Sequence, residues 1–276
     1  YWIRLAEVIE KNYESYDGFV ILHGSDTMSY TASALSFMLE NLNKPVIITG
    51  SQLPLGMPRT DGRENFITSL ELAAAKTDET PIIPEVAIYF ESQLFRGNRT
   101  YKFNAENFEA FKSVNYPPLA DVGVNIRYYR NNIRKPNFKK LKINTQIEPA
   151  VAIIRLFPGI TQQILHAMLN AEGLQGLVLE TYGAVNAPTD EWFVAELKQA
   201  IEKGLTIINI SQCRGGSVDM GKYETSSLLQ KIGLLNGKDM TTEAAITKLM
   251  VTLGKFSKKE DIKQRMEKDW RGEMTE

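Results

Sequence analysis

The sequence predicts an α/β protein of two domains, in which helices cover both faces of parallel sheets. Short apolar segments alternate along the chain with stretches whose apolar residues recur at helical spacing, and this alternation is typical of parallel sheets. A basic and polar segment, residues 131–148, interrupts the alternation, which starts again after it. The length of 276 residues also suits two domains of roughly 150 residues each.

The first predicted domain spans residues 1–130, and four short apolar runs in it indicate buried strands. Helical spacing is seen between them, for example at Leu35, Met38 and Leu42. Residues 91–119 are polar and have no clear period, which predicts a long loop, and such loops are usually functional. The expected order is helix 2–12, strand 18–22, helix 31–42, strand 45–49, helix 62–76, strand 85–90 and strand 124–129.

Residues 131–148 are predicted to be the domain linker, and residues 149–276 the second domain. A linker explains the basic character of the first segment better than a phosphate-binding patch does, because basic runs are usually solvated surfaces. The expected elements of the second domain are strand 151–156, helix 160–171, strand 176–180, helix 190–203, strand 205–210 and helices 223–235, 241–253 and 257–270.

The composition disfavours several kinds of protein. The 32 Lys and Arg residues nearly balance the 33 Asp and Glu residues, for a net charge of −1, so nothing favours binding to nucleic acid or to an anionic membrane. No apolar run approaches the ~18 residues of a membrane span. The single cysteine, Cys213, excludes an intrachain disulfide, and with only two histidines a zinc site of His and Cys ligands is disfavoured.

Turns that follow strands are the places to search for chemistry, because parallel sheets bind ligands at the carboxyl ends of their strands. The turn 23–28 presents Ser25 and Asp26 side by side after a buried strand. Considered alone, these residues are better explained as caps of the next helix. The loop 94–102 holds three cations, and a desolvated Lys102 there would be able to act as a base, although a solvated basic loop is the commoner case.

Other turns give weaker signals. The turn 49–54 has the form of an ordinary strand-to-helix turn, and Asp61 is a candidate cap for the helix that follows. The turns 181–188 and 211–216 match neither the dinucleotide-binding motif G-x-G-x-x-G nor the P-loop motif, so a nucleotide cofactor is disfavoured. Cys213 is interpreted as a buried thiol at a strand end rather than as a nucleophile.

Several segments together resemble the bacterial-type L-asparaginase family. Two C-terminal segments, 239–245 and 269–273, are similar to its cytoplasmic, type I branch. The resemblance implies a larger flavodoxin-like N-terminal domain, a smaller α/β C-terminal domain, and hydrolysis of L-asparagine to L-aspartate and ammonia. The four segments that resemble the family's motifs, in the family's order, are residues 17–28, 49–54, 98–102 and 111–116.

The resemblance also assigns roles to particular residues. The family's hydroxyl–lysine–aspartate triad corresponds to Ser25, Lys102 and Asp26, and a neutral, buried Lys102 would take the proton of Ser25. Asp26 would hold Lys102 and accept the substrate's α-ammonium group. The Ser51 main chain would meet the substrate amide, and Asn186 would reach a neighbouring subunit's site. Ser25 stands where the family usually has threonine; the hydroxyl is kept, but serine lacks the methyl that restricts the threonine rotamer.

One part of the family pattern has no counterpart in this sequence. The resemblance implies an acylated threonine in a Thr-Gly-Gly-Thr-Ile motif near the N-terminus, and no such motif occurs here. Because the chain begins at Tyr1, inside a helical pattern, we expect that a segment with this threonine is lacking. These 276 residues would then hydrolyse asparagine poorly by themselves.

Two other functions stay open at this stage. The missing threonine motif motivates a non-catalytic amino-acid-binding or sensor protein on the same fold. A glutaminase would share the machinery and differ in pocket length, because one methylene changes specificity by only about 1–3 kcal/mol. For the enzyme, the resemblance implies a cytoplasmic homodimer or homotetramer without metal or cofactor, and residues 213–216 are candidates for a regulatory asparagine site.

Overall fold

A computed structural model describes residues 1–188, 190–220 and 224–276, without the side chains of residues 224–226. The chain forms two compact units, residues 1–145 and 146–276. Tyr223, at which a helix was expected to begin, lies outside the described residues. Both units combine helices with a sheet that contains parallel strands, so the predicted α/β fold class is confirmed.

The helices of the described residues are α1 (Trp2–Asn12), α2 (Met28–Met38), α3 (Gly62–Ala74), α4 (Gln162–Leu169), α5 (Glu191–Glu202), α6 (Glu224–Lys231), α7 (Thr242–Lys255) and α8 (Lys259–Glu267). The strands are β1 (Phe19–Leu22), β2 (Leu39–Glu40), β3 (Val46–Thr49), β4 (Lys76–Thr77), β5 (Thr80–Pro81), β6 (Val86–Phe90), β7 (Gln93–Arg96), β8 (Tyr101–Lys102), β9 (Phe111–Lys112), β10 (Ala120–Val122), β11 (Ile126–Tyr128), β12 (Lys142–Ile143), β13 (Val151–Arg155), β14 (Gly176–Thr181), β15 (Thr206–Ser211) and β16 (Leu235–Asn236).

The main sheet of the first unit is mixed, with strand order β1-β3-β6-β7-β10-β11. Strands β1, β3 and β6 are parallel, as expected, whereas β7, β10 and β11 run antiparallel to their neighbours. The expected parallel strands are therefore present in this half, and antiparallel strands extend the sheet beyond them. The reason is local: Glu91 and Ser92 have positive φ angles of 40° and 66°, and this conformation closes a two-residue hairpin between β6 and β7.

The polar stretch 91–119 is not the long loop that was expected. It contains β7, β8 and β9, and much of it is buried. Its polar residues misled the prediction because they are paired inside the unit: Arg96 Nε donates to Glu85 Oε2 at 2.6 Å, and both side chains are buried. A buried charge that is paired and hydrogen-bonded is tolerated in a core.

The predicted linker also contributes to the first unit. The helix expected over 31–42 ends at Met38, and the next residues form β2, which pairs antiparallel with β12 inside residues 131–148. Asn43 adds hydrogen bonds to the same segment, among them one from its amide nitrogen to the Lys139 carbonyl at 2.8 Å. The division into residues 1–130, 131–148 and 149–276 stays a prediction.

The second unit has the expected parallel sheet, with order β13-β14-β15-β16. Alternate residues of β14 point to opposite faces: Leu177 and Leu179 pack with α4 and α5, whereas Val178 packs with α7 and α8. The helix expected over 223–235 was too long, because α6 ends at Lys231 and β16 follows. Helices thus cover both faces of this sheet.

Candidate active site

The turn after β1 carries the first two candidate residues. Ser25 and Asp26 lie in a short 3₁₀ turn that leads into α2, whose N-cap, Thr27, makes no side-chain capping bond. The capping interpretation of Ser25 and Asp26 is therefore not realised. Both side chains contact Lys102 instead.

Lys102 brings the two side chains together. Its Nζ atom donates to Ser25 Oγ at 2.8 Å and to Asp26 Oδ1 at 2.6 Å. The Lys102 side chain is 18% exposed and the Asp26 side chain 90% exposed. The lysine of this ion pair is therefore largely shielded from solvent, whereas the carboxylate is open to it. A hydroxyl beside an amine that is oriented by a carboxylate is the arrangement used in nucleophilic catalysis.

The ion pair changes the acidity of Asp26. Its pKa is lowered from the ordinary value, first because the carboxylate accepts a hydrogen bond from Lys102 and second because of the nearby positive charge. Asp26 therefore stays ionised at a pH at which an isolated aspartate is partly protonated. Because the folded-state pKa is the lower one, whatever the pair contributes to stability is lost as the pH falls through that value.

A titration tests this coupling. We expect the Asp26 carboxyl carbon, followed by ¹³C NMR, to titrate below the ordinary aspartate pKa of about 3.9. In a Lys102→Met variant the midpoint should rise towards that ordinary value. A Lys112→Met variant, which removes a lysine of the neighbouring strand β9, is the control and should leave the Asp26 midpoint where it is in the wild type. An unchanged Asp26 midpoint in the Lys102→Met variant would contradict the pairing.

The backbone around Lys102 is held by close packing. Arg96 and Glu85 anchor the end of β7, and residues 97–99 form a 3₁₀ turn between β7 and β8. This turn requires glycine at position 97, because a Cβ atom there would lie 2.9 Å from Ala32 Cβ and 3.0 Å from the Val86 carbonyl oxygen. Two cations of the loop 94–102 thus pair with carboxylates, Arg96 with Glu85 and Lys102 with Asp26. The pairing of β8 with β9 fixes the backbone of Lys102.

A second turn, after β3, lies against the first. His23 N donates to the Thr49 carbonyl at 2.8 Å, and a Cβ atom at Gly50 would clash with the His23 carbonyl oxygen. Glycine is therefore required at position 50 for this approach. It brings Ser51 and Gln52 to the neighbourhood of Ser25, whose hydroxyl donates to Gln52 Oε1 at 3.2 Å.

Asp61 fixes the shape of this second turn. Its carboxylate accepts the backbone N–H groups of Gln52, at 2.9 Å, and Leu53, at 3.1 Å. It makes no capping bond to α3, so the prediction that it caps this helix was wrong. Asn65, which is buried, donates from Nδ2 to the Gly50 carbonyl at 3.0 Å. Sequence reasoning missed Gln52 and Asn65 because their partners lie far away along the chain.

Asn186 and Cys213 belong to the second unit. Asn186 is exposed and closes a tight turn with Tyr182, whose carbonyl accepts the Asn186 N–H at 2.7 Å. Cys213 is exposed as well, so its interpretation as a buried thiol was wrong. The sharp turn of residues 211–216 accounts for this, because Ser211 Oγ accepts the Cys213 N–H at 3.0 Å and turns the chain outwards.

No group of three or more His, Cys, Asp or Glu side chains in the described part of the chain is arranged to hold a metal ion. None of the helices in residues 1–188, 190–220 and 224–276 is long and apolar enough to cross a membrane.

Known proteins resemble the whole chain. The family model "Asparaginase, N-terminal" matches residues 1–134, and "Glutaminase/Asparaginase C-terminal domain" matches residues 150–266. L-asparaginase 1 of Escherichia coli K12 is 42% identical over 274 residues, which cover 99% of this chain and 79% of that protein. A 60 kDa lysophospholipase of Mus musculus is 44% identical over 276 residues, which cover 99% of this chain and 48% of that protein.

A solved structure shows the same similarity in three dimensions. L-asparaginase I from Vibrio cholerae O1 biovar eltor matches with a TM-score of 0.91 at 42% identity, over 99% of this chain and 81% of that one. The N-terminal family model matches from residue 1, so the expectation that an N-terminal segment is lacking gains no support from these comparisons.

Proposed function

Because this chain belongs to the asparaginase family, we propose that it hydrolyses L-asparagine to L-aspartate and ammonia. The observation that carries the proposal is the 2.8 Å contact between Lys102 Nζ and Ser25 Oγ. It places an amine where it can exchange a proton with a hydroxyl. The names of the similar proteins from Escherichia coli and Vibrio cholerae supply the substrate.

The chemistry follows from the needs of amide hydrolysis. A hydroxyl oxygen attacks the side-chain amide carbon, and the amide nitrogen leaves as ammonia once it has gained a proton; water then releases aspartate. Ser25, Lys102 and Asp26 form the triad that handles this proton. The Ser25 hydroxyl gives its proton to Lys102, which passes it to the leaving nitrogen, and Ser25 regains a proton from the attacking hydroxyl, so that serine and amine are both unchanged over the cycle.

Substrate binding would prepare Lys102 for this role. In the arrangement described above, Lys102 donates to both partners, and it can accept a proton only after losing one. The Asp26 carboxylate is open to solvent and would also accept the α-ammonium group of asparagine. A second positive charge beside Asp26 disfavours the ammonium form of Lys102. Binding of the substrate therefore favours the basic form of the lysine.

Other contacts complete the proposed site. The Ser51 main chain would bind the substrate amide, since the turn after β3 lies beside Ser25. Asn186, exposed in the second unit, would contribute to the site of a neighbouring subunit. This role requires a homo-oligomer, a dimer or a tetramer, and we propose a cytoplasmic location for it on the similarity to the type I branch.

A direct assay tests the function. We expect the full-length protein to release ammonia from L-asparagine with a higher kcat/KM than from L-glutamine. The reverse preference would establish the glutaminase alternative instead. Calorimetric binding of L-asparagine without any ammonia release would establish the sensor alternative, so each outcome decides between the three functions.

A further inference from the structure

Gln52 makes hydrogen bonds to two different parts of the candidate site. Its Oε1 atom accepts the Ser25 hydroxyl at 3.2 Å, while Nε2 donates to the backbone carbonyls of Ala105 at 3.1 Å and Asn107 at 2.9 Å. Two carbonyl acceptors can be satisfied only by the NH₂ end of the amide. The loop carbonyls therefore fix the direction of the amide and turn its oxygen towards Ser25.

This amide binds the Ser25 hydroxyl while Lys102 carries its proton; once Lys102 has lost that proton, the hydrogen turns towards it about the Cβ–Oγ bond and the oxygen stays in place. The Ser25 oxygen accepts a hydrogen bond from Lys102 at 2.8 Å and donates its single hydrogen to Gln52. Serine has only one heavy substituent beyond Cβ, so sterics alone restrict its χ1 angle weakly, whereas threonine is stiff at χ1. The two hydrogen bonds must therefore hold the Ser25 oxygen in front of the lysine.

We propose that Gln52 is a positioning residue that keeps the Ser25 oxygen in reach of Lys102 by fixing the Ser25 rotamer. The inference rests on the proposed function and adds a residue to its machinery. The backbone supports the same geometry, since the Asp61 carboxylate accepts the Gln52 N–H at 2.9 Å. The backbone and the side-chain amide of Gln52 are thus both fixed by hydrogen bonds. The amide can therefore restrict the Ser25 hydroxyl that it binds.

The substitution that tests the proposal removes only the polar end. Gln52→Met keeps the length of the side chain and loses all three hydrogen bonds of the amide. We expect kcat for L-asparagine to fall about tenfold, as for the loss of one aligned hydrogen bond, and KM to stay within about twofold, because Gln52 acts on Ser25 and not on the substrate.

Rescue separates this role from a merely structural one. Ser25→Thr keeps the hydroxyl and restricts χ1 by sterics. In the Gln52→Met background we expect kcat to come within about threefold of the Ser25→Thr single variant, because the threonine methyl then restricts χ1 in place of the amide. Such a coupling between two sites in a four-variant cycle is the signature of a shared function.

A second variant keeps the test open if Gln52→Met fails to fold. Gln52→Glu retains an oxygen that faces Ser25 but adds a negative charge beside Lys102, which favours the ammonium form. The ascending limb of kcat/KM against pH should therefore move to higher pH. The charged groups around this position are Lys102 and its partner Asp26, which share the Ser25 contact, Asp61, which accepts the Gln52 N–H, and Glu106, which stands between the two residues whose carbonyls bind the Gln52 amide. Met57→Glu, at an exposed position of the same segment, is the control and should leave the limb in place.

The outcomes are distinct. Unchanged kcat in Gln52→Met, a higher KM with unchanged kcat, or no rescue by Ser25→Thr would each overturn the positioning role. An unshifted pH limb in Gln52→Glu would do the same. A wild-type protein that releases no ammonia would instead overturn the proposed function, so failure of the two proposals can be told apart.

Discussion

A Lys102→Met variant is expected to release ammonia from L-asparagine about 10²–10⁴ times more slowly than the wild type, the range for the loss of a positioned acid–base group. Methionine has the length of lysine but no basic nitrogen. The Ser25 hydroxyl would then have no proton acceptor at 2.8 Å. The loss should appear in kcat, since the nitrogen exchanges its proton in the reaction itself.

The control for this variant is a lysine of the same hairpin. Lys112 lies on β9 next to the Phe103 ring, with Nζ 4.0 Å from the ring centroid, and Lys112→Met should keep nearly full activity. Thermal unfolding should show that both variants are folded, because the Lys102 pair with exposed Asp26 is open to solvent and such pairs stabilise little. Full activity in Lys102→Met would refute the mechanism.

A Lys248→Met variant is expected to lose about 3–5 kcal/mol in the free energy of unfolding, the usual cost of removing one partner of a buried ion pair. Lys248 Nζ and Glu273 Oε1 are 2.5 Å apart and both side chains are fully buried. Lys248 also donates to the carbonyls of Met266, at 3.0 Å, and Lys268, at 2.8 Å. The substitution leaves the Glu273 carboxylate buried without a counter-charge.

Two further measurements identify the cause of this loss. Burial alone would raise the pKa of Glu273, but the Lys248 charge and hydrogen bonds lower it below the ordinary value. Without Lys248 the folded-state pKa rises above the unfolded one, so the penalty grows with pH and is relieved as the pH falls towards 4. Urea unfolding at several pH values should show that the difference in free energy of unfolding between the wild type and Lys248→Met becomes smaller as the pH falls. Adding Glu273→Gln should recover part of the loss at neutral pH, and a simple sum of the two losses would contradict the pairing.

The sequence alone identified those features that depend on a short stretch of neighbouring residues. Short apolar runs gave the parallel strands β1, β3 and β6 and the whole sheet of the second unit. The hydroxyl and carboxylate after β1, and the lysine of β8, were identified as candidates, and the structure brings them into contact. Such features are local, and local patterns are what a single sequence records.

What the sequence did not reveal depends on contacts between distant segments. Arg96 looks like a loop residue until Glu85 neutralises it inside the unit. Asp61 looks like a helix cap, yet its carboxylate accepts backbone N–H groups of the preceding turn. In the same way, the role of Gln52 depends on carbonyls more than fifty residues away. Each residue type permits several partners, and only the fold selects one.

The close approach of Gly50 to the His23 carbonyl restricts which substitutions the site can accept. A side chain at position 50 would force the two turns apart, and with them the serine and the amide that faces it. Substitutions that change the substrate preference of this site must therefore leave the close approach of these two backbone segments unchanged. A change in the backbone of one turn therefore requires a matching change in the other.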